Sequence, residues 1–257
     1  MRLAHVSDLH LGLNGAVGDP KDVAKAVVAD LTAVSEALDL VVVSGDLTDK
    51  ADPRQFDDFV QMFSAIGVPV AIVPGNHDGP AGMHAFGQTS KIFADWHITN
   101  RVVEVAGVRL LGLDTCIEAT TEGALDEEGL VLLEQEVARK NGDRLVVVMH
   151  HPPLVLGLKQ FDGFCRLEGR ERFMKIMGTA HEQVIVLSGH VHRPYVASEG
   201  RMTCYVAGSM VAPYDSALPF GNEPIRPAAL QDFYFFHDIA PEGHHVVTPQ
   251  RVRGLAR

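Results

Sequence analysis

Five apolar runs in this chain each stop at a short block of oxygen and nitrogen ligands, and that repetition constrains the fold more than any other feature. The blocks are Asp8-Leu9-His10, Gly45-Asp46, Gly75-Asn76-His77-Asp78, His150-His151 and Gly189-His190-Val191-His192. The runs before them (3–6, 40–43, 68–73, 145–149 and 184–187) are dominated by Val, Leu and Ile. Unbroken apolar runs of this length read as strands covered on both faces. Ligands at strand ends fall at the mouth of an α/β sheet, where such folds place their sites.

Helices supply the cover. Residues 20–38 carry Val23, Val27, Leu31, Val34 and Leu38 at spacings of three and four, with Pro20 at the start. Residues 52–66 put Phe56, Phe59, Val60 and Phe63 on one face. Further helices are expected at 80–93, 127–140 and 168–177. Hairpins are expected at 101–105 with 108–113, across Ala106-Gly107, and at 195–198 with 202–207. Residues 233–239 and 245–252 read as closing strands. The sum is an α/β layered sandwich, with one mixed sheet or two packed sheets and flanking helices. No internal repeat or linker divides residues 1–257, so a single domain is expected. Residues 210–231 hold Pro213, Pro219, Pro224 and Pro227 with little periodicity. They read as a surface loop, or as a rim over the site or a subunit contact.

The formal net charge of −11 argues against a nucleic-acid polymer as partner, because phosphate backbones are gripped by surplus Lys and Arg. A small anionic substrate stays compatible, since bound cations reverse the local field. Cys116, Cys165 and Cys204 show no paired spacing. A disulfide framework is therefore not indicated, and a reducing, cytoplasmic setting fits. No signal-peptide layout precedes the first strand, and no apolar run has the length to span a bilayer. A membrane partner is not expected, and a homo-oligomer is left open.

Asp, Asn and His are the donors that hard and borderline dications prefer, and Cys is absent from every block. Side chains two apart on an extended segment share a face, so Asp8 with His10, and His190 with His192, are expected to point into one pocket. Gly45, Gly75 and Gly189 are expected to let the backbone turn sharply beside the ligands. Seven ligands suffice for two adjacent ions, and two ions side by side are a device for breaking phosphate esters with water.

The order D-x-H, G-D, G-N-H-D, H, G-H-x-H resembles that of the calcineurin-like metallophosphoesterases. Met149-His150-His151-Pro152-Pro153-Leu154, followed by Leu156-Gly157, is similar to the branch of class III cyclic nucleotide phosphodiesterases and bacterial glycerophosphodiesterases. The resemblance implies a four-layer αββα fold. It also implies one ion held by Asp8, His10, Asp46 and His192, and another held by Asp46, Asn76, His150 and His190, with Asp46 bridging. Mn, Fe, Zn and Co all accept this set. The protein Ser/Thr phosphatases of the superfamily carry an Arg where Gly45-Asp46-Leu47-Thr48-Asp49-Lys50 has Lys50. That departure points away from a protein-phosphatase role.

The expected chemistry is attack on a small phosphodiester, a cyclic nucleotide or a glycerophosphodiester, by a hydroxide shared between the ions. A phosphomonoesterase, and a non-catalytic scaffold with this fold, are the alternatives. His77 is expected to donate to the leaving group, or to be a bystander beside Asn76. Asp78 is expected to orient the His77 imidazole, or to cap the loop. His151 neighbours a ligand and is read either as its support or as structural. His5 is expected to face away from the site. His84, His97, His181, His237, His244 and His245 are read as packing or surface residues.

Overall fold

The chain alternates strand and helix from the start. β1 (Arg2–Val6), α1 (Pro20–Ala33), β2 (Leu40–Val43), α2 (Pro53–Phe63) and β3 (Val70–Ile72) are followed by α3 (Pro80–Thr89) and α4 (Lys91–Trp96). A hairpin of β4 (Arg101–Val105) and β5 (Val108–Gly112) leads to β6 (Gly123–Ala124), α5 (Glu127–Ala138) and β7 (Leu145–Val148). Then come β8 (Leu167–Glu168), α6 (Arg170–Met177), β9 (Val184–Ser188), β10 (Tyr195–Glu199) and β11 (Met202–Val206). The short β12 (Tyr214–Asp215) and β13 (Arg226–Pro227) precede the closing β14 (Phe233–Ile239) and β15 (His245–Arg251). This computed structural model describes residues 1–139, 144–157, 162–163, 166–215, 226–228, 231–240 and 243–255.

Local chemistry starts the helices. Asp19 and Asp52 accept hydrogen bonds from first-turn amides, and Pro20 and Pro53 follow them at the first helical position. Ser90 does the same for Phe93 N, which splits the helix expected at 80–93 into α3 and α4. The helix expected at 20–38 ends at Ala33, where Val34 leaves helical geometry and a single 3₁₀ turn follows. The helix expected from 168 starts at Arg170, because Gly169 turns at φ 81° and Leu167–Glu168 pairs with β6. The β4–β5 turn places Ala106 and Gly107 at φ 47° and 73°, the twist that tight hairpins need.

Two mixed sheets result. One has the order β15-β14-β1-β2-β3 and the other β10-β11-β9-β7-β5-β4. β1, β2 and β3 run parallel, as do β11, β9, β7 and β5. Alternate residues of each buried strand enter different layers. Ala4, Val6, Val41, Val43 and Ile72 pack beneath α1 to α4 with Phe56, Phe59, Phe63, Phe86 and Phe93. Leu111, Val147, Val186 and Cys204 pack beneath α5 and α6. Leu3, Leu40, Val42, Leu110, Val146, Val148, Ile185 and Leu187 fill the space between the sheets. Burying one such side chain is worth about 1.5–3 kcal/mol, so three apolar layers hold the two sheets at a fixed separation. The architecture is helices, sheet, sheet, helices. Among the described residues no helix is long and apolar enough to cross a membrane.

His5 lies in the layer between the sheets, on the side of β1 opposite Ala4 and Val6. Its Nε2 is 2.8 Å from Ser44 Oγ, and its ring lies 5.9 Å from that of His237. His237 Nδ1 in turn lies 2.9 Å from His245 Nε2, and Tyr205 packs edge-on against both rings. These three histidines therefore build one polar spot in an otherwise apolar layer.

Candidate metal centre

The parallel strands of both sheets end on one edge of the sandwich, and all five blocks lie there. Asp8 and His10 follow β1, Asp46 follows β2, Asn76 and His77 follow β3, His150 follows β7, and His190 with His192 follow β9. The chain does not stay extended through these blocks. Asp8, His10, Asp46, His190 and His192 have φ of 55°, 42°, 51°, 73° and 56°. Such left-handed geometry costs roughly 1–3 kcal/mol per non-Gly residue and collects at functional sites. Asp8 with His10, and His190 with His192, do converge. They do so through successive left-handed turns, not through the alternation of an extended segment.

The seven candidate ligands form two nests that share one carboxylate. Asp8, His10, Asp46 and His192 bring donor atoms within 4.8 Å of one another. His10 Nε2 lies 2.8 Å from His192 Nε2, and His192 Nε2 lies 3.5 Å from Asp8 Oδ1. In the second nest Asn76 Oδ1 lies 3.1 Å from His150 Nε2 and 2.9 Å from His190 Nδ1. Asp46 Oδ2 is 3.4 Å from His10 Nε2 and 3.4 Å from His150 Nε2, one imidazole of each nest. Two donors on one ion at about 2.1 Å stand roughly 3–3.5 Å apart, so these separations fit a shared pair of dications.

Only one of the three glycines acts through its turn. Gly45 has φ 99°, and a Cβ there would also lie 2.4 Å from His150 Nδ1. Gly75 and Gly189 are needed for close approach instead. A Cβ at Gly75 would lie 2.1 Å from Asp46 N, and one at Gly189 would lie 1.9 Å from Ser7 Oγ and 2.5 Å from Asp8 Oδ2. The loops carrying the ligands touch backbone to backbone.

Surrounding groups fix the imidazoles. His150 Nδ1 donates to the Ser44 carbonyl and His192 Nδ1 to the Ala212 carbonyl, each at 2.8 Å, which leaves both Nε2 atoms facing the centre. Asp8 accepts from the His190 amide, and Ser209 Oγ donates to the Asp8 carbonyl at 2.8 Å. Tyr214 stacks on His192. Residues 210–215 thus border the centre, while residues 216–225 and 229–230 of the Pro-rich stretch lie outside the described residues. His151 is held by Thr115 Oγ1 at 2.8 Å and packs 4.3 Å from the His190 ring.

Asp78 caps the loops and does not orient His77. Its Oδ1 accepts from Thr48 N and Thr48 Oγ1, and its Oδ2 from Leu47 N and Gly75 N. Those four donors tie the Asp46 loop to the Asn76 loop. The residue beside the His77 ring is Asp49, which the sequence reading did not single out. His77 Nδ1 donates to the Asp49 carbonyl at 3.0 Å, and Asp49 Oδ1 lies 3.7 Å from the same nitrogen and 4.0 Å from His10 Nδ1. The spacing Asp46-Leu47-Thr48-Asp49 was visible, but nothing in it says that this loop folds under His77.

Burial opposes charge throughout the centre. It pushes the His10 ring down to about 3, against the pull of Asp46. Burial would raise the Asp46 carboxyl, but the His150 and His10 imidazoles hold it well below the usual carboxylate range. Burial would lower His150, yet the facing Asp46 raises it to about 9. Burial pushes Asp8 up, and His192 and His150 counter it in part. Asp78 is pushed up to about 6 by burial and by the Asp46 charge, against its backbone donors. Asp46 is the negative charge around which the imidazoles gather.

Comparison with known proteins places this geometry. A probable glycerophosphodiester phosphodiesterase of Arcobacter nitrofigilis is 30% identical over 198 residues, 75% of this chain and 72% of that protein. A probable cyclic nucleotide phosphodiesterase of Synechococcus is 29% identical over 210 residues, 79% of this chain and 78% of that protein. A dimetal phosphatase from Danio rerio superposes with a TM-score of 0.65 at 15% identity, covering 92% of this chain and 95% of the other, which shows the shared fold. The family model for calcineurin-like phosphoesterases matches residues 1–194, a span that holds all five ligand blocks. The chain belongs to the calcineurin-like phosphoesterase family.

Proposed function

We propose that this protein is a dinuclear metal-dependent phosphodiesterase acting on small diesters. The observation that carries the reading is the position of Asp46 Oδ2, 3.4 Å from an imidazole nitrogen of each nest. Asp8, His10, Asp46 and His192 would hold one ion, and Asp46, Asn76, His150 and His190 the other. When bound, a pair of dications supplies a water nucleophile at neutral pH and neutralises phosphoryl oxygens. The donor set suits Mn, Fe, Zn or Co, and availability selects among them.

The protein's own groups do the rest. Asn76 turns its Oδ1 to His150 and His190, so its Nδ2 is left to donate to a phosphoryl oxygen. As a neutral ligand it adds no negative charge beside an anionic substrate. His77 Nδ1 is engaged by Asp49, so Nε2 is the atom that delivers a proton to the leaving oxygen. The Asp49 carboxylate, 3.7 Å from Nδ1, helps to hold the ring in that orientation.

The relatives named for glycerophosphodiesters and cyclic nucleotides support diesters over monoesters. The test is metal analysis of purified protein, followed by turnover of bis(p-nitrophenyl) phosphate, cyclic mononucleotides, glycerophosphodiesters and phosphomonoesters after reconstitution. Diester turnover that tracks two ions per chain is the expected result. Metal-loaded protein that cleaves none of them would leave the scaffold reading standing, and exclusive monoester turnover would leave the phosphomonoesterase reading.

A further inference from the structure

A cavity of about 590 Å³ opens beside the centre, with Asn76 and His77 in its wall. Because His77 is read as the donor to the leaving oxygen, the leaving alcohol would project into this space. Its volume suits a small molecule. The wall beyond His77 comes from three segments: Asp49 to Ala51, Gly79 at the start of α3, and residues 118–121. Among the described lining residues the imidazole of His77 is the only ring, so beyond His77 no aromatic side chain lines the cavity.

The charges in this wall are unequal. Lys50 Nζ lies 3.9 Å from Asp49 Oδ2, and these two charges offset one another. Glu118 is left over. Its Oε2 accepts from Ala81 N in the first turn of α3 at 3.5 Å. Its Oε1 has no hydrogen-bond or ion-pair partner among the described residues, and it lies within 3.3 Å of where a Cβ on Gly79 would stand. The whole-chain charge of −11 reinforces the local sign.

We propose that Glu118 is a specificity-determining residue that favours diesters whose leaving alcohol carries a positive charge and disfavours those whose leaving alcohol is anionic. The idea rests on the phosphodiesterase reading and on His77 marking the leaving-group side. It concerns only the alcohol. The ester's own negative charge is met at the metal centre.

The experiment uses three methyl phosphodiesters whose second alcohol is choline, its neutral carbon isostere 3,3-dimethylbutanol, or a carboxylate of matched length. Release of that alcohol is followed with metal-loaded protein. The native protein should prefer the choline ester over the neutral one by up to about fivefold in kcat/KM, the upper end for an exposed ion pair, with the difference in KM. Glu118→Gln keeps an acceptor for Ala81 N and removes the charge, so the ratio should fall to near one. Glu118→Lys should invert the order in favour of the carboxylate. Raising the ionic strength should flatten the native preference. A second measurement needs no metal: saturation-transfer NMR of free choline and 3,3-dimethylbutanol with metal-free protein should show choline favoured by the native chain and not by Glu118→Gln. Equal ratios in native and Glu118→Gln protein, with the neutral ester turned over, overturn the proposal. If no ester is cleaved, the diesterase reading fails separately, and the NMR comparison alone decides for or against Glu118. Melting temperatures of both variants show that each is folded.

Discussion

Gly75→Ala probes the contact on which the centre depends. The new Cβ would stand 2.1 Å from Asp46 N, 2.2 Å from Asp46 Oδ1 and 2.8 Å from Asp46 Cγ. The first is a backbone atom, so no rotamer relieves the clash. To restore ordinary contact the two loops must separate by about 1.3 Å, because cores are packed without slack. That movement stretches His77 N to Asp46 Oδ1 (2.9 Å), Thr48 N to Asp78 Oδ1 (2.8 Å) and Leu47 N to Asp78 Oδ2 (3.1 Å) out of hydrogen-bond range. Overpacking costs about 1–3 kcal/mol, and each buried polar group left unpaired about 1–3 kcal/mol more. Taking the low end, about 1 kcal/mol for the overpacking and about 1 kcal/mol for each of the three hydrogen bonds, the loss is about 4 kcal/mol, which for a chain of this size lowers Tm by roughly 8 °C. Urea and thermal unfolding of metal-free protein measure it. Gly18→Ala is the control, since its Cβ would meet only Val23 Cγ2 at 3.5 Å. If Gly75→Ala and Gly18→Ala unfold within about 1 kcal/mol of each other, the close contact of these loops is refuted.

Asp46→Asn should lose the metal pair, and elemental analysis that finds native stoichiometry would remove Asp46 from the bridging position. His77→Ala should keep the metals but slow esters of poor leaving groups by roughly 10²-fold, with activated aryl esters much less affected. Asp49→Asn should reproduce that selectivity in milder form, and equal slowing of both ester classes in either variant would argue against proton delivery from His77. Acid stability reports on the polar spot between the sheets. Burial pushes His5 down to about 3 and His237 well below its ordinary value. The unfolded chain takes up those protons near 6.5, so their contribution is intact above that pH and is lost as pH falls from there toward 3. His5 alone should cost about 2 kcal/mol at pH 5. His5→Gln should therefore flatten the fall in Tm between pH 7 and pH 5, and an unchanged slope would mean that His5 is not held neutral by the fold.

The left-handed backbone at the candidate ligands makes the site depend on what surrounds it. Asp8, His10, Asp46, His190 and His192 each hold a backbone conformation that an L-residue adopts only when its surroundings demand it. Ser209, Ala212 and the Asp78 carboxylate supply that demand by binding the same loops. Asp78→Asn would keep an acceptor for only two of the four donors, so its effect should register first as lost stability and only then as lost metal.

Strand positions and the candidate ligands were legible in the chain because both depend on short-range pattern. Apolar runs such as Leu40–Val43 and Leu145–Val148 can be buried only as strands between two covers, and the three-and-four spacing after Pro20 marks a helix. Asp8, His10, Asp46, Asn76, His150, His190 and His192 were recognisable because their donor types recur at the ends of those runs. What required the tertiary structure is every relation between distant segments. No pattern within residues 45–50 says that Asp49 lies against His77 while Asp78 turns away to cap Leu47 and Thr48. Nor does residue spacing show that Gly75 and Gly189 are required for clearance. The same is true of Glu118, which meets the start of α3 from a loop 37 positions away. Periodicity reports which face a side chain takes on its own element. Packing of the two sheets decides which elements meet, and that choice set the distances from which the chemistry follows.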